Sequence, residues 1–171
     1  MKHYFFCLFS LFFALGCTQI QTPQISQSIN KCPTPLANVH INSISATQND
    51  LNISSEEIKN LMNENLKDNC FTLEDTQDTY MVNISYSTSL KSTSEDKIAS
   101  SKQQSQAASE VKISLKKGTI TRTFIGTSNI ELSGKKILSI GSDAKITPEI
   151  KNESIAKAFK AAYESMIKSF E

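Results

Sequence analysis

The chain has 171 residues, 39% hydrophobic and 20% charged, which is room for one domain able to bury its own core. It carries 18 Lys and Arg against 17 Asp and Glu, and losing Lys2 with a leader would leave 17 against 17. A neutral chain has no global field to gather DNA, RNA or acidic lipid, so no nucleic-acid partner is expected.

The amino end reads Met1-Lys2-His3 and then runs apolar from Tyr4 to Leu15. A short basic segment followed by about twelve apolar residues is the layout of a secretory signal. It is too short for a bilayer-spanning helix, which needs about twenty apolar residues. Residues 1–16 are therefore expected to be an export signal. Ala14-Leu15-Gly16-Cys17 resembles the lipobox of bacterial lipoproteins, with Ala14 in the slot where that family usually has Leu. The resemblance implies a thioether-linked diacylglycerol on Cys17, cleavage before it, and acylation of the new amino terminus by a chain such as palmitate. Ala14-x-Gly16 also suits an ordinary signal peptidase. Both readings cut the same bond, and only the lipid on Cys17 separates them.

Four cysteines are present, and Cys7 would leave with the signal. With Cys17 lipidated, Cys32 and Cys70 remain as a pair in an oxidising compartment and are candidates for a disulfide. Closing that loop is worth about 4 kcal/mol in the chain-entropy treatment. Residues 18–36, "TQIQTPQISQSINKCPTPL", hold Gln, Ser, Thr and Pro with Lys31 as the single charge. Too little apolar surface is available there to offset ordering, so residues 17–36 read as a lipid anchor with a flexible tether. A coil of that length spans about 25 Å.

Residues 37–171 then form one domain. "ANVHINSISA" reads as a first strand, and Ser54 with Glu57 stands at capping-box spacing ahead of a helix. Ile58, Leu61, Met62 and Leu66 give that helix one apolar face. "CFTLED" begins a second strand. In "YMVNISYSTSL" Tyr80, Val82, Ile84, Tyr86 and Leu90 alternate with polar residues, the period of a half-buried strand. Val111, Ile113 and Leu115 repeat the pattern. Lys117-Gly118 and Ser133-Gly134 suggest hairpin turns, with Ile120, Phe124, Ile130, Leu132, Ile137 and Ile140 as further core. Thr147 as cap and Pro148 at the first helical position open a last helix, striped by Ile155, Phe159, Ala162, Met166 and Phe170. The expected fold is α+β and two-layered, in the order β-α-β-β-β-β-α, with an antiparallel sheet carrying both helices on one face. Residues 91–109, "KSTSEDKIASSKQQSQAAS", are Ser, Gln and Lys-rich; they form either a protruding hairpin or a polar, mobile loop that could contact a partner, with simple disorder preferred to a binding role.

Chemistry is sparse. His40 is the one histidine outside the leader, no Cys/His spacing makes a zinc site, and there is no Gly-rich phosphate loop or Gly-x-Ser-x-Gly elbow. Glu56-Glu57 and Glu74-Asp75 fit capping and solvation. Neither catalysis, nor a metal, nor a cofactor is expected. "DLNIS" matches the acidic-x-Asn-x-Ser acceptor of N-glycosylation systems of the campylobacter type, making Asn52 a candidate in the loop before the first helix.

"SSEEIKNLMNENLKDNCFTLED" followed by "TYMVNISYSTSL" resembles the strand, helix, short strand and long alternating strand of the CsgG, LpoB and TraT kinds of outer-membrane lipoprotein. That resemblance implies a non-catalytic, lipid-anchored module on the periplasmic face of the outer membrane, an accessory subunit of an envelope complex with a protein partner. Self-association stays open. Residues 91–109 are too polar for the pore-forming hairpins of CsgG. A second reading is an LptE-like lipoprotein that binds lipopolysaccharide and a barrel, with Lys112, Lys116, Lys117 and Arg122 as its anionic-ligand patch. A third is a surface-displayed adhesin.

Overall fold

The computed structural model describes Cys32, residues 34–74, Thr76, residues 78–138 and residues 140–170. The expected export signal and the expected lipidation site Cys17 lie outside these described residues. The elements are β1 (Ala37–Asn49), α1 (Ser55–Asp68), β2 (Phe71–Leu73), β3 (Tyr80–Lys97), β4 (Ser100–Lys117), β5 (Ile120–Ile137), β6 (Ile140–Gly141) and α2 (Pro148–Ile167). They make one six-stranded sheet in the order β2-β1-β3-β4-β5-β6, an α+β fold.

The two helices start where their caps require. Ser54 and Glu57 close a reciprocal capping box on α1, and Thr147 caps α2 ahead of Pro148. Both helices cover the same face of the sheet. Val82, Ile84 and Tyr86 of β3 and Val111, Ile113 and Leu115 of β4 point into a core with Ile58, Met62 and Leu66 of α1 and Ile155, Phe159, Tyr163 and Met166 of α2. α2 lies over β4 and β5, and the Tyr163 hydroxyl donates to the Asn65 carbonyl of α1 at 2.7 Å. Cys32 and Cys70 are joined, with Cα atoms 5.2 Å apart, and the Leu36 amide donates to the Cys70 carbonyl at 2.8 Å, which fixes the entry of the chain beside β2.

Four details differ from the expectation. The sheet is antiparallel only from β3 to β6, because β1 pairs in parallel with both β2 and β3. A strand followed by a crossover helix returns in the same direction, whereas a tight turn reverses it. Residues 91–109 are not a mobile loop but the distal halves of β3 and β4, paired in unbroken register from Met81↔Lys116 to Lys97↔Ser100. Ala107 and Ser109 still lie under α2, where Ser109 Oγ meets Ser154 Oγ at 2.8 Å, but further out neither face of the arm lies under a helix, so both stay polar and no hydrophobic period appears in the sequence. Ser133-Gly134 is mid-strand, and the turn falls after Ile137; a Cβ on Gly134 would stand 2.5 Å from the Ser142 carbonyl oxygen, so the glycine admits the segment after β6. Finally, Ile120, Ile137 and Ile140 are exposed rather than core, because β5 outruns the helix that covers it.

Candidate interaction surface

The face of the sheet away from the helices has no covering element among the described residues. Strand alternation fills it with short polar side chains, in rows fixed by register: Asn83–Ser114–Thr123, Ser85–Lys112–Ile125 and Ser87–Glu110–Thr127. Ser114 and Thr123 share a hydrogen bond at 3.0 Å, and Lys112 pairs with Glu110 at 3.0 Å. At the β1 edge, a bulge lets both Asn42 Nδ2 and Ser43 Oγ donate to Asn83 Oδ1 at 2.7 Å. His40 lies on this face opposite Met81.

On the arm the surface deepens into a groove of about 540 Å³. Its floor is two cross-strand rows, Lys91–Gln106–Glu131 and Thr93–Gln104–Ser133. A cation, a carboxylate, two amides and two hydroxyls converge there, a set able to donate and accept hydrogen bonds toward a polar ligand. Reading the segment as a loop misses these residues, and no local signal marks them, because residues 91–95 and 102–106 are polar at every position.

The four cations expected as one patch do not come together. Lys112 and Lys116 sit on the open face, while Lys117 and Arg122 share the parity of buried Leu115 and sit on the helix side. Arg122 Nη1 donates to the Ser169 carbonyl at 3.3 Å. Lys117 Nζ lies 2.8 Å from Asp78 and 4.8 Å from the Tyr80 ring centroid, and its hydrogen bond to Asp78 raises its pKa. Tyr80 in turn meets Phe170 edge to face at 5.3 Å. At that end of the sheet Lys117 and Arg122 are thus engaged with neighbouring groups of the chain itself. Asn52 is exposed, with a left-handed φ of 58°, in the turn between β1 and α1, flanked by the buried Leu51 and Ile53. Among the described residues no three of His, Cys, Asp and Glu gather to hold a metal ion, and no helix is long and apolar enough to cross a membrane.

The chain matches no protein-family model and no curated protein sequence. Solved structures do resemble it. A neuraminyllactose-binding hemagglutinin homologue from Helicobacter pylori is 9% identical, with a TM-score of 0.50, over 83% of this chain and 89% of that one. Rare lipoprotein B from Shewanella oneidensis is 14% identical, TM-score 0.33, over 75% of this chain and 96% of that one. A minor lipoprotein from Acinetobacter baumannii is 8% identical, TM-score 0.30, over 80% and 89%. What the chain has in common with the Helicobacter protein is its fold.

Proposed function

We propose that this protein is a non-catalytic, lipid-anchored module of the bacterial cell envelope that binds a partner through the open face of its sheet. The observation that carries the reading is the asymmetry of the two faces: one is sealed by α1 and α2, the other offers a continuous polar surface and the Lys91–Glu131 groove. The sequence supports the setting through the apolar leader and the lipobox-like Ala14–Cys17. The joined Cys32 and Cys70 suit an oxidising compartment. In this reading the anchor holds the protein at the periplasmic face of the outer membrane, where it serves an assembly as an accessory subunit.

A second reading is a surface adhesin. The groove of amides, hydroxyls and a Lys–Glu pair favours a hydroxylated ligand, and the fold likeness is to a protein described as a hemagglutinin homologue.

Photo-crosslinking in the native host separates a binding face from a solvated one. A crosslinking residue at Gln106 or Lys112 is expected to give a discrete adduct, while one at Glu153 or Lys160, on the outer side of α2, gives none. Adducts from the α2 positions alone would overturn the reading. A glycan adduct at Gln106, with no protein adduct, would select the adhesin.

A further inference from the structure

The far end of the arm does not look like the rest of the open surface. Ile98 is 110% exposed, Leu138 74%, Ile140 80% and Ile137 53%. Single exposed aliphatics are ordinary, but a cluster of them marks a contact surface. These four are brought together by the fold. Ile137 and Ile140 are direct cross-strand partners, and the Leu138 amide donates to the Ala99 carbonyl at 3.0 Å, which ties the β5–β6 turn to the β3–β4 turn carrying Ile98.

We infer that this apex is a wedge that enters the headgroup region of an anionic lipid bilayer. Three observations select a bilayer over a protein. The hollow beside the apex is lined by Ile98, Ala99 and Leu138 together with the charged Asp96, Lys97 and Lys136, a mixed wall rather than the apolar slot that accepts a partner's anchoring side chain. The apolar zone is one strand row and two turns deep, and the row Asp96–Ser101–Lys136 follows it; that depth fits the 5–10 Å or so of interfacial insertion, not a membrane span. Third, Lys102 and Lys135 face each other across β4 and β5 close below Ile137, with Lys97 beside it. Glu95 faces Lys102 from β3 in the same row, and Lys97, Lys102, Lys135 and Lys136 against Glu95, Asp96 and Asp143 leave the apex one positive charge to attract anionic headgroups. Lys97 pairs with Glu95 at 3.5 Å, which leaves Lys102 and Lys135 without an ion pair among the described residues. The whole chain is near neutral, so the attraction is local to the apex. The wedge is also remote from the chain entry: β3 runs 18 residues, roughly 60 Å, from the Cys32–Cys70 end to the apex.

The chain contains no tryptophan, so an Ile98→Trp substitution in a fully exposed turn is a lone reporter. It is placed in the full chain carrying Cys17→Ser, which removes the acylation site. Mixed with phosphatidylcholine–phosphatidylglycerol vesicles containing brominated lipid, the indole of Ile98→Trp is expected to shift its emission to the blue and be quenched. A Leu73→Trp control at the opposite end stays unquenched. Lys102→Gln and Lys135→Gln each weaken the partition by roughly fivefold. An apex indole that stays water-exposed with vesicles, or is quenched no more than the Leu73→Trp control, overturns the proposal. A blue shift that grows with protein concentration in the absence of lipid overturns it in favour of a second copy of the chain.

Discussion

Gly126 of β5 lies directly beneath Ala158 of α2, so close that a Cβ on the glycine would overlap the Ala158 carbonyl oxygen and the Ala162 amide nitrogen. The obstacle is helix backbone, which cannot rotate aside as a side chain can. Gly126→Ala must therefore push α2 off the sheet, and overpacking of this kind costs about 3 kcal/mol. Gly118 is the internal control. Its φ of +57° disfavours any side chain, yet nothing lies within 4 Å of a Cβ there. Gly118→Ala should cost about 1 kcal/mol. Urea unfolding of the two variants checks the order, which reverses if α2 is free to shift.

The turn that ends β1 is held by Asn49. Its Nδ2 donates to the Ile53 carbonyl at 2.7 Å, and its Oδ1 accepts from the Ile53 amide at 2.9 Å and the Thr88 hydroxyl at 3.2 Å. The buried Tyr86 hydroxyl donates to the same Ile53 carbonyl at 2.8 Å. Tyr86→Phe leaves that carbonyl bonded to Asn49, so it should cost about 1 kcal/mol. Asn49→Ala strips the Ile53 amide and carbonyl of the same partner at once and should cost about 2–3 kcal/mol. Equal losses on thermal unfolding would mean that solvent replaces the Asn49 bonds.

Tyr163 links stability to alkaline pH. Burial raises the pKa of its phenol well above the ordinary 10.0. The folded chain thus holds the proton more tightly than the unfolded one, so the contribution is complete below pH 10 and is lost as pH rises through the folded value. Tyr163→Phe is expected to flatten the fall in stability above that pH, and absorbance of the phenolates should show one tyrosine that ionises only on unfolding. A Tyr163 phenolate that forms in the still-folded chain in the ordinary range would contradict this.

Much of the helix-bearing half can be read from the sequence because one covered face prints a period. Val82, Ile84 and Tyr86 alternate because α2 and α1 shield one side of β3, and Ser54–Glu57 and Thr147–Pro148 are local signals that need no tertiary context. The arm is illegible for the converse reason. Both faces of residues 91–97 and 100–104 lie beyond the helices, so only register among β3, β4 and β5 holds them as strand, and register is non-local. The parallel pairing of β1 is hidden for the same reason. The split of Lys112 and Lys116 from Lys117 and Arg122 is legible in principle, since Lys117 shares parity with Leu115. Periodicity assigns Ile137 and Ile140 to the core because it reports which residues share a face and not where the covering helix stops.

An envelope module held by Cys17 is the claim on which the functional account rests, and the mass of the N-terminal peptide of the protein isolated from its own host's membranes tests it most directly. The account predicts a peptide that begins at Cys17 and carries a diacylglyceryl group with further acylation. An unmodified Cys17 at the same terminus would contradict it and leave a soluble exported protein, with the open face of the sheet no longer tied to a membrane-held assembly.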